Sequence, residues 1–482
     1  MYKKYFFLTI FLCVVCVVSV FAQDDISQDD ISKEKKSPFV FSEKAIGTST
    51  LKLDFPLFDL PYQIDAMNTV GHGFFSSYAN PSMSQSIALT ADFYTAFHFG
   101  AYKLSERFGF EKSWWKKSLY YSGIALLDYF SFYVPFGYAW MHEENHRAVM
   151  TRFGINSYNE AYDFRFGAST IAVTGITDEE FEVFKSEHPK DFIRMEEAGI
   201  ESQYVLIDKL ERNAFFYNQN YLNEFLYLFI TLNAYGYMST TILSDYYLED
   251  IYKEINAREP EERDFTGLDP IAWVYDLFRP NEPYHKRGEN VLGGVDRYRQ
   301  VSMLTKEERD YLYRRVAWSA LNFVSPMLYG IKTIQIGEEG LEFNFALRNW
   351  LTSFGSEITL TTFWKIPLLK RQLNMIWTYH HYQNYQNFFP ALEAELLDFP
   401  IKFKKWALYI SPKFIVGVQP KDMDFKTSDV AFFGLIGGRV DFEFYKHVLP
   451  YIEFSAKTSG WVAGNEFLDS TWKVIVGTSL RF

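Results

Sequence analysis

The rhythm of apolar and polar positions changes once along this chain. From about residue 82 to 330, apolar residues recur every three or four positions, the period of an amphipathic helix. The spacing predicts helices over 82–104, 112–153, 189–213, 222–248 and 304–319, with Gly154 as the stop of the second. The 222–248 segment fits a membrane span or a buried helix, and its Asn, Thr, Ser and Tyr content favours a buried or interfacial one. The charged stretch 249–264 reads as a solvated connector. After about residue 338 the period falls to two. Trp472, Val474, Val476, Thr478, Leu480 and Phe482 share one face of the last strand, and Lys473, Ile475, Gly477, Ser479 and Arg481 the other. Val440, Phe442 and Phe444 alternate in the same way, as do Ile452, Phe454 and Ala456, and similar runs begin near Leu341, Glu357, Leu373, Phe389 and Trp406, about eight strands in all, each near the length that crosses a bilayer. The expected fold class is α+β. A helical N-terminal and central domain (65–335) precedes an antiparallel β-barrel of about eight or more strands (338–482).

Two closed structures suit such strands: a soluble barrel with its apolar face inward, or a membrane barrel with it outward. Composition separates them. Aromatic residues make up 19% of the 482 residues, more than a soluble core needs but in keeping with aromatic girdles. Polar residues lie opposite the apolar face of nearly every strand. The first 22 residues also read as a secretory signal peptide: Lys3 and Lys4, an apolar run from Tyr5 to Phe21, and Val20 and Ala22 at a cleavage site. Cleavage there removes Cys13 and Cys16, the only cysteines, so no disulfide is expected. Residues 23–37, with their QDDIS duplication, read as a flexible linker. The net charge of −12 excludes a nucleic-acid surface.

The alternating C-terminal third, ending in Phe482, resembles bacterial outer-membrane β-barrel proteins. That resemblance implies an exported protein of the outer membrane, with a soluble periplasmic β domain as the alternative. It implies outer-membrane lipid as a partner, and the barrel assembly machinery as the reader of the terminal aromatic.

Within the second helical segment stands Met141-His142-Glu143-Glu144-Asn145-His146-Arg147, an H-E-x-x-H. On a helix, His142 and His146 lie one turn apart on one face and can share a Zn²⁺. Glu143, beside the first ligand, can serve as general base while metal-activated water attacks a carbonyl. This segment resembles the zincin metallopeptidases. Glu144 and Arg147 are charged where zincins usually carry uncharged residues, which predicts a wetter helix face. The metzincin continuation is absent, since Val149 and Arg152 occupy its Gly and His/Asp positions. A gluzincin-like third ligand is then expected from a downstream helix. Glu201 is the favoured candidate, with Glu197, Glu160, Asp163 and Glu224 as further choices. His380 and His381 point to opposite faces of a strand, and His72 and His98 read as ordinary polar contacts. No phosphate-loop, dinucleotide or G-x-S-x-G motif is present.

The leading functional expectation is a zinc-dependent hydrolase acting on peptide or protein and anchored in the outer membrane. The alternative is a non-enzymatic outer-membrane barrel whose helical region is a plug or partner-binding domain. In a third arrangement, segments 118–141 and 222–248 span the bilayer, against which Asp128 and the period-two C-terminal third argue.

Overall fold

The computed structural model describes residues 39–42, 51–70, 79–164, 166, 171–217, 219, 223–243, 245, 258–290, 292–337, 340–368, 371–403, 406–443 and 447–482. The expected signal peptide (1–22, with both cysteines), the linker (23–37) and His72 lie outside them.

The helices run in chain order as α1 (Tyr62–Val70), α2 (Met83–Phe108), α3 (Trp114–Phe130), α4 (Tyr138–Arg152), α5 (Asp178–Glu187), α6 (Pro189–Tyr217), α7 (Asn223–Thr240), α8 (Asp269–Phe278) and α9 (Lys306–Ser319). The predicted helix over 112–153 is two helices. Pro135 sits in the break, Phe136 takes a φ of 69°, and a Cβ at Gly137 would lie 1.8 Å from the Ser131 carbonyl oxygen. Only glycine permits that approach, so the chain turns there and restarts as α4. Reciprocal capping boxes, Ser82 with Gln85, Thr177 with Glu180 and Thr305 with Glu308, start α2, α5 and α9.

The long strands are β6 (Leu341–Thr352), β7 (Gly355–Leu368), β8 (Arg371–Gln383), β9 (Phe388–Leu397), β11 (Ala407–Pro420), β12 (Val430–Glu443), β13 (Val448–Lys457) and β14 (Thr471–Arg481). Short strands β1 (Phe39–Ser42), β5 (Thr333–Ile336) and β10 (Phe399–Lys402) join them, as does β2 (Lys52–Leu60). The pairing is antiparallel throughout this 12-stranded sheet, in the order β1-β5-β6-β7-β8-β9-β11-β12-β13-β14-β2, with β10 on β11. A separate two-stranded ribbon pairs β3 (Tyr158–Asn159) with β4 (Val173–Thr174).

The barrel expectation is corrected here. The sheet ends at β1 and β2, and no pairing among the described residues joins those two strands. Its inner face instead packs on α6. Arg348 of β6 pairs with Asp208 (2.9 Å) and Glu211 (2.7 Å), and Glu395 of β9 accepts from Arg212 (2.8 Å). Trp461, between β13 and β14, donates to Glu197 (2.7 Å), and Lys52 of β2 donates to the Tyr217 hydroxyl (3.2 Å). Strands β6, β9 and β2 and the segment between β13 and β14, widely separated in the sheet order, therefore reach a single helix, so the sheet curves round it. The inner face is polar, carrying Glu357, Asp441 and Lys473, while Trp377, Phe414, Phe432, Ile436, Phe454 and Trp472 are exposed on the other face. A water-facing antiparallel sheet has the reverse order. Among the described residues, no helix is long and apolar enough to cross a membrane.

Candidate metal centre

Nearly every residue of α4 is buried, including His142, Glu143 and His146. The wetter helix face that Glu144 and Arg147 suggested is not found. The two side chains neutralise each other at 2.7 Å, and Asn159 donates to Glu144 (2.8 Å) while Arg147 donates to the Ser157 carbonyl (2.8 Å). Buried charges need such partners, and the pair ties α4 to the β3 ribbon.

The two imidazoles stand one turn apart, ring centroids 5.0 Å from each other. Both Nε2 atoms face the carboxyl of Asp269, with His142 Nε2 3.0 Å and His146 Nε2 3.3 Å from Oδ2. The three donor atoms lie within 4.8 Å of one another and all three residues are buried. Asp269 opens α8, followed by Pro270 in the first turn. The first turn of a helix favours a carboxylate, and proline fits there because its missing N–H has no intrahelical partner to lose. No helix was expected over this segment from the sequence. The signal available was Asp-Pro ahead of the apolar run Ile271–Tyr275.

Each of the three residues is held from behind. His146 Nδ1 lies 2.5 Å from the Met195 carbonyl oxygen, which fixes Nδ1 as the protonated nitrogen and leaves Nε2 its lone pair. His142 Nδ1 lies 3.3 Å from the side-chain amide of Gln203. The Tyr237 hydroxyl accepts from the backbone N–H of Asp269 at 3.2 Å, and its ring meets His142 edge to face at 5.8 Å.

Three observations show that these residues fit a metal ion. The buried His146 Nε2 has no hydrogen-bond partner. A Cβ built on Gly199 of α6 would lie 2.2 Å from His146 Nε2 and 2.4 Å from His142 Nε2, close to a zinc–nitrogen bond of about 2.0–2.1 Å. The glycine thus leaves open the space between the two nitrogens that an ion needs. The pocket is also rich in carboxyl groups. Burial, then the charges of Asp264, Asp269, Glu160 and Glu144, push Glu143 well above the usual carboxylate range. Burial and the charge of Asp269 push Asp264 up to about 7. Asp269 is the exception: burial opposes its ionisation, but its electrostatic interaction with His146 and the hydrogen bond with His142 hold it well below the usual range. Burial also lowers His142, keeping the ring in the neutral form that binds metals.

Of the residues expected from sequence, His142 and His146 share one site, and Glu143 is linked to it through its electrostatic interaction with Asp269. Glu201 is not brought to it. Its carboxylate accepts from both terminal nitrogens of Arg194 (2.5 and 3.0 Å) and from the Gly464 backbone N–H. Gly199 faces the histidines, and two residues on is about 200° around the helix, so Glu201 points toward the sheet. Glu197 shares that face, bonded to Arg194 (3.0 Å) and Trp461. Glu160 pairs with Arg258 (3.1 Å), Asp163 accepts from Tyr158 (2.7 Å), and Glu224 pairs with Lys332 (2.5 Å).

Comparison with models of known protein families, with curated proteins and with solved structures finds no match to this chain.

Proposed function

We propose that the chain is a zinc-dependent hydrolase, most simply a peptidase, with His142, His146 and Asp269 as ligands and Glu143 as general base. The observation that carries this reading is the meeting of the three donor atoms in a buried pocket that Gly199 leaves open. Two histidines and a carboxylate make up the ligand set of a catalytic zinc site, with a fourth position left for water or substrate. A bound zinc ion supplies two things: acidification of water and polarisation of a carbonyl. Glu143 takes the proton of the attacking water and hands it to the leaving amine. Met195 and Gln203 hold the imidazoles in orientation, and Tyr237 holds the backbone of Asp269. The resemblance to zincins rests on the H-E-x-x-H segment alone, and Asp269 stands where Glu201 was expected.

The outer membrane is the proposed location. The exposed apolar face of the sheet and its polar inner face support it, since that order suits strands bathed in lipid. The barrel assembly machinery is the proposed partner in biogenesis and a peptide the proposed substrate. A second reading, a non-enzymatic membrane sheet with a helical plug, is favoured by the seating of α6 on the inner face.

Elemental analysis of the purified full chain tests the proposal. We expect one zinc per chain, lost in His146→Ala, and peptide hydrolysis that disappears in Glu143→Gln while the zinc stays. Wild-type chain that takes up no stoichiometric metal overturns the enzyme reading. Zinc binding without hydrolysis of any peptide in a mixed-sequence library favours the plug.

A further inference from the structure

Helices α2 and α3 form a hairpin that is built inside out. Its buried polar groups face the protein: His98 of α2 lies 2.8 Å from Asp128 of α3 through Nε2 and 2.6 Å from Asn223 of α7 through Nδ1. Outward, α3 shows Trp115, Leu119, Ser122, Leu126 and Phe130, spaced i, i+4, i+7, i+11 and i+15, all exposed and none charged. That stripe is about 22 Å long at 1.5 Å per residue. The neighbouring stripe of α2 exposes Phe97, Leu104 and Phe108. In water such a face is costly, and monomeric proteins rarely keep an apolar patch this long uncovered.

The turn between the two helices differs in chemistry. Trp114 is 81% exposed and Trp115 is 53% exposed. From residue 103 to 117 the chain carries Lys103, Arg107, Lys112, Lys116 and Lys117 against only Glu106 and Glu111, although its net charge is −12. Tryptophan and lysine together at the end of an apolar helix face suit the boundary between acyl chains and anionic headgroups. The stripe covers one face only. Its opposite side, with Tyr120, Ile124 and Asp128, is buried, so α3 can lie against lipid without being surrounded by it.

We propose that the α2–α3 hairpin is a lipid-contact surface separate from the sheet. The outward face of α3 lies against acyl chains, and Trp114, Trp115, Lys112, Lys116 and Lys117 sit among anionic headgroups. The assignment does not rest on the metal centre.

The test uses the full chain with Cys13 and Cys16 replaced by serine, reconstituted in vesicles of phosphatidylcholine and phosphatidylglycerol. A nitroxide is attached at Ser122→Cys, a near-isosteric change, or at Lys306→Cys, whose native side chain is 85% exposed on α9. Collision with oxygen should exceed collision with a water-soluble nickel chelate several-fold at position 122, and the order should reverse at 306. Adding K112S, K116S and K117S together should shift the ratio at 122 toward the chelate. A probe at 122 as chelate-accessible as that at 306 overturns the proposal. So does dipolar broadening between probes at 122, which would place a second copy on the face. A ratio unmoved by the triple lysine replacement overturns the headgroup assignment.

Discussion

The sharpest test of the metal centre is a single methyl group placed at Gly199. Alanine there puts a Cβ 2.2 Å from His146 Nε2, 2.4 Å from His142 Nε2 and 2.6 Å from His142 Cδ2. An ordinary contact begins near 3.4 Å, so the nearer ring must retreat by about 1.2 Å, or α6 must shift as far. Metal–ligand distances tolerate about 0.2 Å, and disturbing even the outer-shell partners of a metal site costs about 10–100-fold in affinity. We therefore expect Gly199→Ala to lower zinc affinity by at least about 100-fold, in chelator competition read by elemental analysis. The fold should suffer far less. Glycine to alanine inside a helix gains about 0.5–1 kcal/mol, and one extra methyl in a packed interior costs about 1–3 kcal/mol. The net loss is at most about 2.5 kcal/mol, visible as a modest drop in melting temperature. Gly236→Ala is the matched control, because the same Cβ in α7 meets nothing within 4 Å. It should keep its zinc and gain about 0.5–1 kcal/mol. Wild-type zinc affinity in a folded Gly199→Ala chain would refute the placement of the ion between the two histidines.

Four further outcomes follow from the same geometry. Asp269→Asn should lower zinc affinity by about 100-fold or more, read by chelator competition, because it removes the anionic ligand. Glu201→Gln should leave zinc binding intact and destabilise the fold by up to about 3 kcal/mol in thermal melts, since it strips one partner from a buried ion pair with Arg194. Tyr237→Phe removes the acceptor for the Asp269 N–H and should weaken zinc binding about 10-fold, with melting of the chelator-treated protein barely changed. Asp264 is pushed up to about 7 by burial and by the charge of Asp269, so the folded chain holds its proton above the unfolded value of 3.8. That stabilisation is fully present below pH 3.8 and is lost as pH rises toward 7. Metal-free Asp264→Asn should then gain in melting temperature relative to wild type between pH 4 and 7.

Much of the fold was legible in the sequence because period two survives in a sheet whose faces meet different surroundings. The alternation of Trp472, Val474 and Val476 against Lys473, Ile475 and Gly477 reappears as outer and inner faces of β14. Seven of the eight long strands start within about four residues of where the alternation placed them, whereas β12 begins at Val430, ten residues ahead of the alternation read at Val440. Strand β2 escaped because Pro56 interrupts it. Proline offers no N–H to the ladder, and the register with β14 shifts between Val476 and Gly477, opposite that proline. Closure was not legible either. Alternation reports which way side chains point, whereas closing a barrel depends on which strands sit at the two ends, here β1 and β2.

The site was half legible, for a reason that lies in α6. A motif written within one turn of helix, His142 to His146, carries its own geometry, so spacing alone brings the rings together. The third candidate ligand comes from another element, and its choice is set by which face of each helix turns to the pocket. Glycine is the least informative residue in a sequence scan, yet Gly199 marks that face, with Met195 and Gln203 one turn to either side of it. Glu197 and Glu201 belong to the opposite face, where Arg194, Trp461 and Gly464 bind them to the sheet side of the protein. The acidic run that looked like a ligand supply is what locks α6 in place. By fixing the helix in rotation, it holds Gly199 against the two histidines. Glu201→Gln takes one charge from that network but leaves the Glu197 bonds to Arg194 and Trp461 in place, so α6 should keep its rotation and the site its metal.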